Sequence, residues 1–176
     1  MNCCSPRYFV NENGFLQTCP RRYRKSFCSV VTPSYLFATN ATATLTVTDA
    51  VTPVLVPLDE NVRMRGFIGS PDFTQLASQN SGIYNSSYSI TLTSATPQTV
   101  NVAVYVNGEP LAGTERTVTL AANVPATVSL TNFPIDLFSG QIVSLGLVGG
   151  AASTITATNA SLSLNRIANP SGPTPI

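Results

Sequence analysis

Four thiols are the side chains best equipped for covalent chemistry here, and Cys3, Cys4, Cys19 and Cys28 all fall within the first 28 positions. Three chemistries are open to them: disulfides, a thiolate metal site, or free thiols. A tetrahedral zinc site favours C-x₂₋₄-C knuckles. Cys3 and Cys4 are adjacent, and Cys19 and Cys28 are separated by eight residues, so disulfides fit the spacing better. Neighbours such as Cys3 and Cys4 cannot bridge each other without strain, and each needs a different partner. Cysteines confined to one end of a chain are better placed to join that end to another molecule than to staple a core. Each such link contributes about 2–4 kcal/mol on the loop-closure estimate.

Other chemistry lacks its parts. The chain has no histidine, which removes the commonest general base and the commonest metal ligand. Asp59-Glu60 and Glu109 with Glu115 are the only close carboxylate pairs. They fall at expected loops and supply too few oxygens for calcium. Gly146-Leu147-Val148-Gly149-Gly150 has neither a following helix nor the Lys-Ser/Thr of a phosphate loop, so it reads as a turn. Asn40-Ala41-Thr42, Asn85-Ser86-Ser87 and Asn159-Ala160-Ser161 match the glycosylation pattern, as chance allows in a chain this rich in Ser and Thr. No catalytic, metal or cofactor site is expected, and the chain is not expected to be an enzyme.

The thiols sit in a segment that differs from the rest. Arg7, Arg21, Arg22, Arg24 and Lys25 against Glu12 alone leave residues 1–33 at +4. Beyond them Arg63, Arg65, Arg116 and Arg166 face Asp49, Asp59, Glu60, Asp72, Glu109, Glu115 and Asp136, for −3. Residues 1–33 show no regular period and are punctuated by Pro6, Gly14, Pro20 and Pro33. They read as an extended arm whose docking residues are Arg7, Tyr8, Phe9, Val10, Phe15, Leu16, Arg21, Arg22 and Arg24. Roughly 30 residues at ~3.3 Å each span roughly 100 Å, whereas a body of about 145 residues has a radius of gyration near ~15 Å. The arm therefore reaches a neighbouring molecule. Its basic run is short and has one interleaved aromatic, Tyr23, which argues against nucleic-acid binding. Neither a signal-peptide core nor a bilayer-spanning apolar run is expected.

From residue 34 the period becomes two. Ala41, Ala43, Leu45 and Val47 alternate with Thr42, Thr44, Thr46 and Thr48. Tyr84, Tyr88, Ile90 and Leu92 alternate with Asn85, Ser87, Ser89 and Thr91, and Val100, Val102, Val104 and Val106 with Thr99, Asn101, Ala103 and Tyr105. Val118 and Leu120 repeat the pattern, as do Val124 to Leu130, Val143 to Leu147, and Leu162 with Leu164. Such alternation predicts half-buried antiparallel strands. Turn formers separate them, Asn159 and Asn107-Gly108 included, the latter in a loop that Glu109-Pro110 lengthens beyond two residues. Charged residues are only 10% of the chain, against roughly 25% in typical domains, and a net charge of +1 favours self-association. The expectation is an all-β antiparallel sandwich over 34–168 and a proline-rich tail over 169–176.

Particular stretches carry a resemblance. Gly82-Ile83-Tyr84-Asn85-Ser86-Ser87-Tyr88, Val102-Ala103-Val104-Tyr105-Val106-Asn107-Gly108 and Ser139-Gly140-Gln141-Ile142-Val143-Ser144-Leu145 resemble the jelly-roll heads of the tumour-necrosis-factor/complement type. With the opening Leu36-Phe37-Ala38-Thr39-Asn40, the chain is similar over about 35–168 to bacterial spore-surface heads of the BclA and BxpB type. No Gly-X-Y repeat precedes the head, and Gln141 stands where those heads usually carry an acid. The layout of the arm resembles the connectors of endospore appendage subunits. The resemblance implies a TNF/complement-like jelly roll, a homotrimer and a place on the spore surface, with synthesis in the mother-cell cytoplasm. It implies trimers stacked head to tail through cross-linked arms, whose partners are further copies, other exosporium proteins or a collagen-like tip protein of the BclA type, with no nucleic acid or membrane. A trimeric adhesin using loops at Asn107–Gly113 or Phe133–Gly140, and a viral fibre protein, are the alternatives.

Overall fold

The computed structural model describes residues 33–150 and 152–169, together with two short strands at 8–10 and 16–18. Two compact units divide the chain at Thr32 and Pro33. In the first, β1 (Tyr8–Val10) pairs antiparallel with β2 (Leu16–Thr18), setting Phe9 opposite Gln17. The rest of the expected arm lies outside the described residues.

The second unit is all-β among its described residues. Its strands are β3 (Tyr35–Val47), β4 (Val54–Leu55), β5 (Arg63–Arg65), β6 (Phe67–Gly69), β7 (Leu76–Ser78), β8 (Gly82–Ser94) and β9 (Gln98–Val106). They continue with β10 (Glu109–Pro110), β11 (Arg116–Leu120), β12 (Ala126–Leu137), β13 (Ile142–Gly149) and β14 (Ser153–Ala168). One sheet runs β12-β8-β14-β3-β5. The other runs β10-β9-β13-β7-β6, with β11 also on β9 and β4 also on β13. Every strand pairing is antiparallel.

Alternation explains which face each sheet buries. On β8 every even position from Gly82 to Ser94 is inward, and Tyr84, Tyr88, Ile90 and Leu92 enter the core. Val100, Val102 and Val104 of β9 and Val143, Leu145 and Leu147 of β13 meet them from the other sheet. Around β8 the pattern breaks. The β12 register shifts between Leu130 and Phe133, and the β14 register with β8 shifts between Thr158 and Ser161. Asn132 (φ 52°) and Asn159 (φ 51°) occupy the left-handed region there, which asparagine tolerates better than most residues. On β3 the inward set changes from Leu36, Ala38 and Asn40 to Ala43, Leu45 and Val47.

These bulges account for three departures from the sequence reading. Asn159 is a bulge inside one long strand and not a strand boundary, Ala41 is exposed, and Phe133–Leu137 continue β12 in place of a loop. The Asn107-Gly108 turn is also tighter than expected: Glu109 pairs with Val106 and Pro110 with Tyr105, leaving a two-residue reversal. Its φ values of 53° and 88° suit the type I′ hairpin. Residues 170–176, the expected tail, lie outside the described residues.

Two tyrosines of β8 anchor the core by their hydroxyls. Tyr84 is fully buried, packs edge-on against Phe67 at 5.6 Å, and donates to the Asn80 carbonyl at 2.7 Å. Tyr88 crosses to the opposite sheet, where its hydroxyl lies 2.7 Å from the Thr114 carbonyl and 3.2 Å from that of Val102. Thr114 is itself buried, accepting from the Val104 amide at 3.1 Å and donating to the Leu111 carbonyl at 2.7 Å. Burial pushes the Tyr88 phenol up to about 12, against a smaller opposing pull from the Arg116 charge.

Tyr88→Phe is expected to lower stability by about 1–3 kcal/mol, because it strands a buried carbonyl; a urea midpoint that falls at unchanged slope checks this. The raised phenol pKa means the unfolded chain releases its proton first as pH rises. Stability from this group is therefore complete below pH 10 and lost as pH climbs toward 12. Burial, with the Glu115 charge, raises the Tyr105 phenol too, so absorbance titration at 295 nm should show two late-ionising tyrosines, of which Tyr88→Phe removes one.

Candidate assembly interface

The thiol-bearing residues named from sequence, Cys3, Cys4, Cys19 and Cys28, lie outside the described residues, as do Arg7, Phe15, Arg21, Arg22 and Arg24. Tyr8, Phe9 and Val10 make up β1, and Leu16 opens β2. Within the sandwich, among the described residues, no three His, Cys, Asp or Glu side chains converge as they would around a metal ion. No helix there is long and apolar enough to cross a membrane.

What the sandwich does present is a broad uncharged face. The outward positions of β8 are Ile83, Asn85, Ser87, Ser89, Thr91 and Thr93. Those of β14 include Thr156, Thr158, Ser161 and Ser163, and β3 adds Tyr35, Phe37 and Thr39. Hydroxyls dominate because the strands require β-branched or small side chains while the inner face takes all the larger aliphatics. These hydroxyls bond locally: Thr91 Oγ1 lies 2.8 Å from Thr127 Oγ1, and Ser87 Oγ accepts from the Asn132 amide at 3.0 Å. Hydroxyls bonded within the face lose fewer hydrogen bonds to water when another surface covers it.

Apolar exposure is uneven along the strands. β3 begins and β14 ends at the same pole, where the Arg166 amide donates to the Ser34 carbonyl at 2.9 Å. Of the eight large hydrophobic residues exposed among the described residues, Tyr35, Phe37, Ile68, Phe138, Ile142 and Ile167 cluster toward that pole. Only Val51 and Val124 lie at the other. Tyr35 and Phe37 are 43% and 44% exposed. In register they stand opposite Arg65 and Arg63 of β5.

At the far pole Asp49 accepts from the Thr52 and Val51 amides and from the Thr52 hydroxyl, which holds its carboxyl below the usual value. Asp72 is held low in the same way, first by the Ser70 hydroxyl. Both carboxylates organise turns. Asp59 accepts from Asn40 Nδ2 at 2.9 Å, and Glu60 lines a shallow cleft with Thr39, Asn159 and Ser161 where the β3 and β14 irregularities adjoin.

The match to known proteins covers this sandwich. The BclA C-terminal domain model fits residues 35–168. This chain belongs to the BclA C-terminal domain family. Among solved structures the BclA-type fold here is similar to Eiger TNF from S. frugiperda, at a TM-score of 0.52 and 11% identity over 81% of this chain and 99% of that one. It is also similar to the globular domain of zebrafish complement 1qA protein, at 0.50 and 11% identity over 78% and 99%. No curated protein sequence matches it. The fold is thus an antiparallel jelly roll of the TNF/complement type, as the Tyr84–Tyr88 and Val102–Gly108 stretches imply. Sequence reading missed Tyr35 and Ile167 as exposed apolar groups. A burial-independent signal was available in β3, where Tyr35, Phe37 and Thr39 share one parity and Leu36 and Ala38 the other.

Replacing Tyr35 and Phe37 together by serine is expected to leave the urea midpoint within about 1 kcal/mol, since both rings are surface groups. Self-association measured by sedimentation equilibrium in reductant should weaken at the same time.

Proposed function

We propose that this chain is a structural subunit of a spore-surface fibre or exosporium layer, built from homotrimers stacked head to tail. Residues 1–33 of one trimer dock on the next through Arg7, Tyr8, Phe9, Val10, Phe15, Leu16, Arg21, Arg22 and Arg24. Cys3, Cys4, Cys19 and Cys28 then lock the junction by intermolecular disulfides. The observation that carries this reading is a division of labour. A cysteine-free head of the BclA C-terminal family occupies 35–168, and every thiol lies in a separate unit ahead of it. The family supports a surface location, and the uncharged sheet face supports association of heads without buried ions. The opposite signs of arm and body, +4 and −3, favour docking between copies.

Non-reducing electrophoresis of the oxidised full chain should give a ladder that collapses to one band with thiol, and electron microscopy should show filaments that shorten in reductant. A chain lacking residues 1–33 should keep its oligomeric head and lose filaments. Oxidised protein that runs only as a monomer, with its disulfides mapped within one chain, would overturn the proposal. An adhesin would instead retain an identifiable ligand after the same truncation.

A further inference from the structure

The same sheet face carries opposite charges at its two edges. On β5, Met64 packs toward the core, which turns Arg63 and Arg65 outward beside Phe37 and Tyr35. On β12 the inward residues are Ile135 and Leu137, which turns Asp136 outward. The strands between them, β3, β14 and β8, present no charged side chain on that face. Neither guanidinium and not the Asp136 carboxylate has an ion-pair partner among the described residues. They cannot find each other within one chain. Four inter-strand steps at about 4.8 Å place the edges about 19 Å apart.

Their heights do agree. Tyr35 aligns with Asn165 on β14, Asn165 with Asn85 on β8, and Asn85 with Pro134 on β12. Arg65 heads this row, and Asp136 projects one outward position beyond Pro134. Glu60 lies further along the first edge, where its amide donates to Thr39 at 3.0 Å, so it does not occupy the row. In a protein with 10% charged residues, unlike charges at the two edges of a neutral face make that face electrostatically complementary to a second copy of itself.

We propose that a second copy of this chain supplies the missing partner, with Arg63 and Arg65 at the β5 edge of one copy meeting Asp136 at the β12 edge of the next. Such a contact joins unlike edges; repeated head to tail it is heterologous and closes a ring where the rotation allows, as the homotrimer proposed above requires. The inference rests on self-association of the heads and adds which edges meet and in what order. Charge pairing at the rim fixes register and partner choice, while Tyr35, Phe37 and the hydroxyl rows supply the covered area.

The test uses the full chain in reductant at low salt. Asp136→Arg is expected to weaken association about tenfold, since it sets like charges together. Arg63→Asp with Arg65→Asp should weaken it similarly, and the three changes combined should recover most of the loss. For direct contact, R63K/R65K protein grown with and without heavy nitrogen is refolded together and treated with a zero-length carbodiimide. Cross-linked peptides joining position 63 or 65 to Asp136 should appear as mixed-isotope pairs and vanish on Asp136→Asn. Oligomers that give no such peptides, or that ignore Asp136→Arg, overturn this contact and leave self-association standing. A wild-type chain that sediments as a monomer under these conditions overturns both.

Discussion

Strand β8 keeps a single alternation from Gly82 to Ser94, and the strands on either side adapt to it. Its inward residues include the two buried tyrosines, so any change of parity there would push phenol rings into solvent and hydroxyl groups into the core. β12 and β14 instead absorb an extra residue each, at Asn132 and Asn159, and β3 changes its inward set alongside β14. The consequence is a five-stranded sheet whose two halves are registered on one central ruler. Tyr88 then joins that ruler to the Thr114 loop of the opposite sheet, adding a hydroxyl tie to the packing of Val100, Val102, Val104 and Leu120.

Much of this was legible from side-chain types. The Val100–Val106 and Tyr84–Leu92 runs gave strands of the right parity because no bulge interrupts them. The opening of β3, the end of β12 and the start of β14 were harder to see. In each, one inserted residue resets the period, so apolar positions on either side fall out of phase and mimic a strand end. Asn132 and Asn159 read as turn formers for the same physical reason they serve as bulges, which is tolerance of positive φ. Val124 shows the opposite error: it continues an apolar run on paper, yet it stands exposed in the turn before β12.

The assembly face was only partly legible. Composition announces a low-charge surface, but nothing in a linear string tells which hydroxyls share a face. Registration across three strand pairings does, by aligning Tyr35 with Asn165, Asn85 and Pro134. The arm is different in kind. Its thiols are obvious from the sequence, and spacing alone does not say how they pair.

Because β3 starts beside the point where β14 ends, the backbone of the head enters and leaves at one pole. The other pole consists of short reversals, among them the Asp49 turn, whose carboxylate fixes two amides and a hydroxyl. A peptide grafted between Ala121 and Pro125 would therefore protrude from the side remote from both backbone crossings. The head is laid out like a plug with its wiring at one end and short reversals at the other.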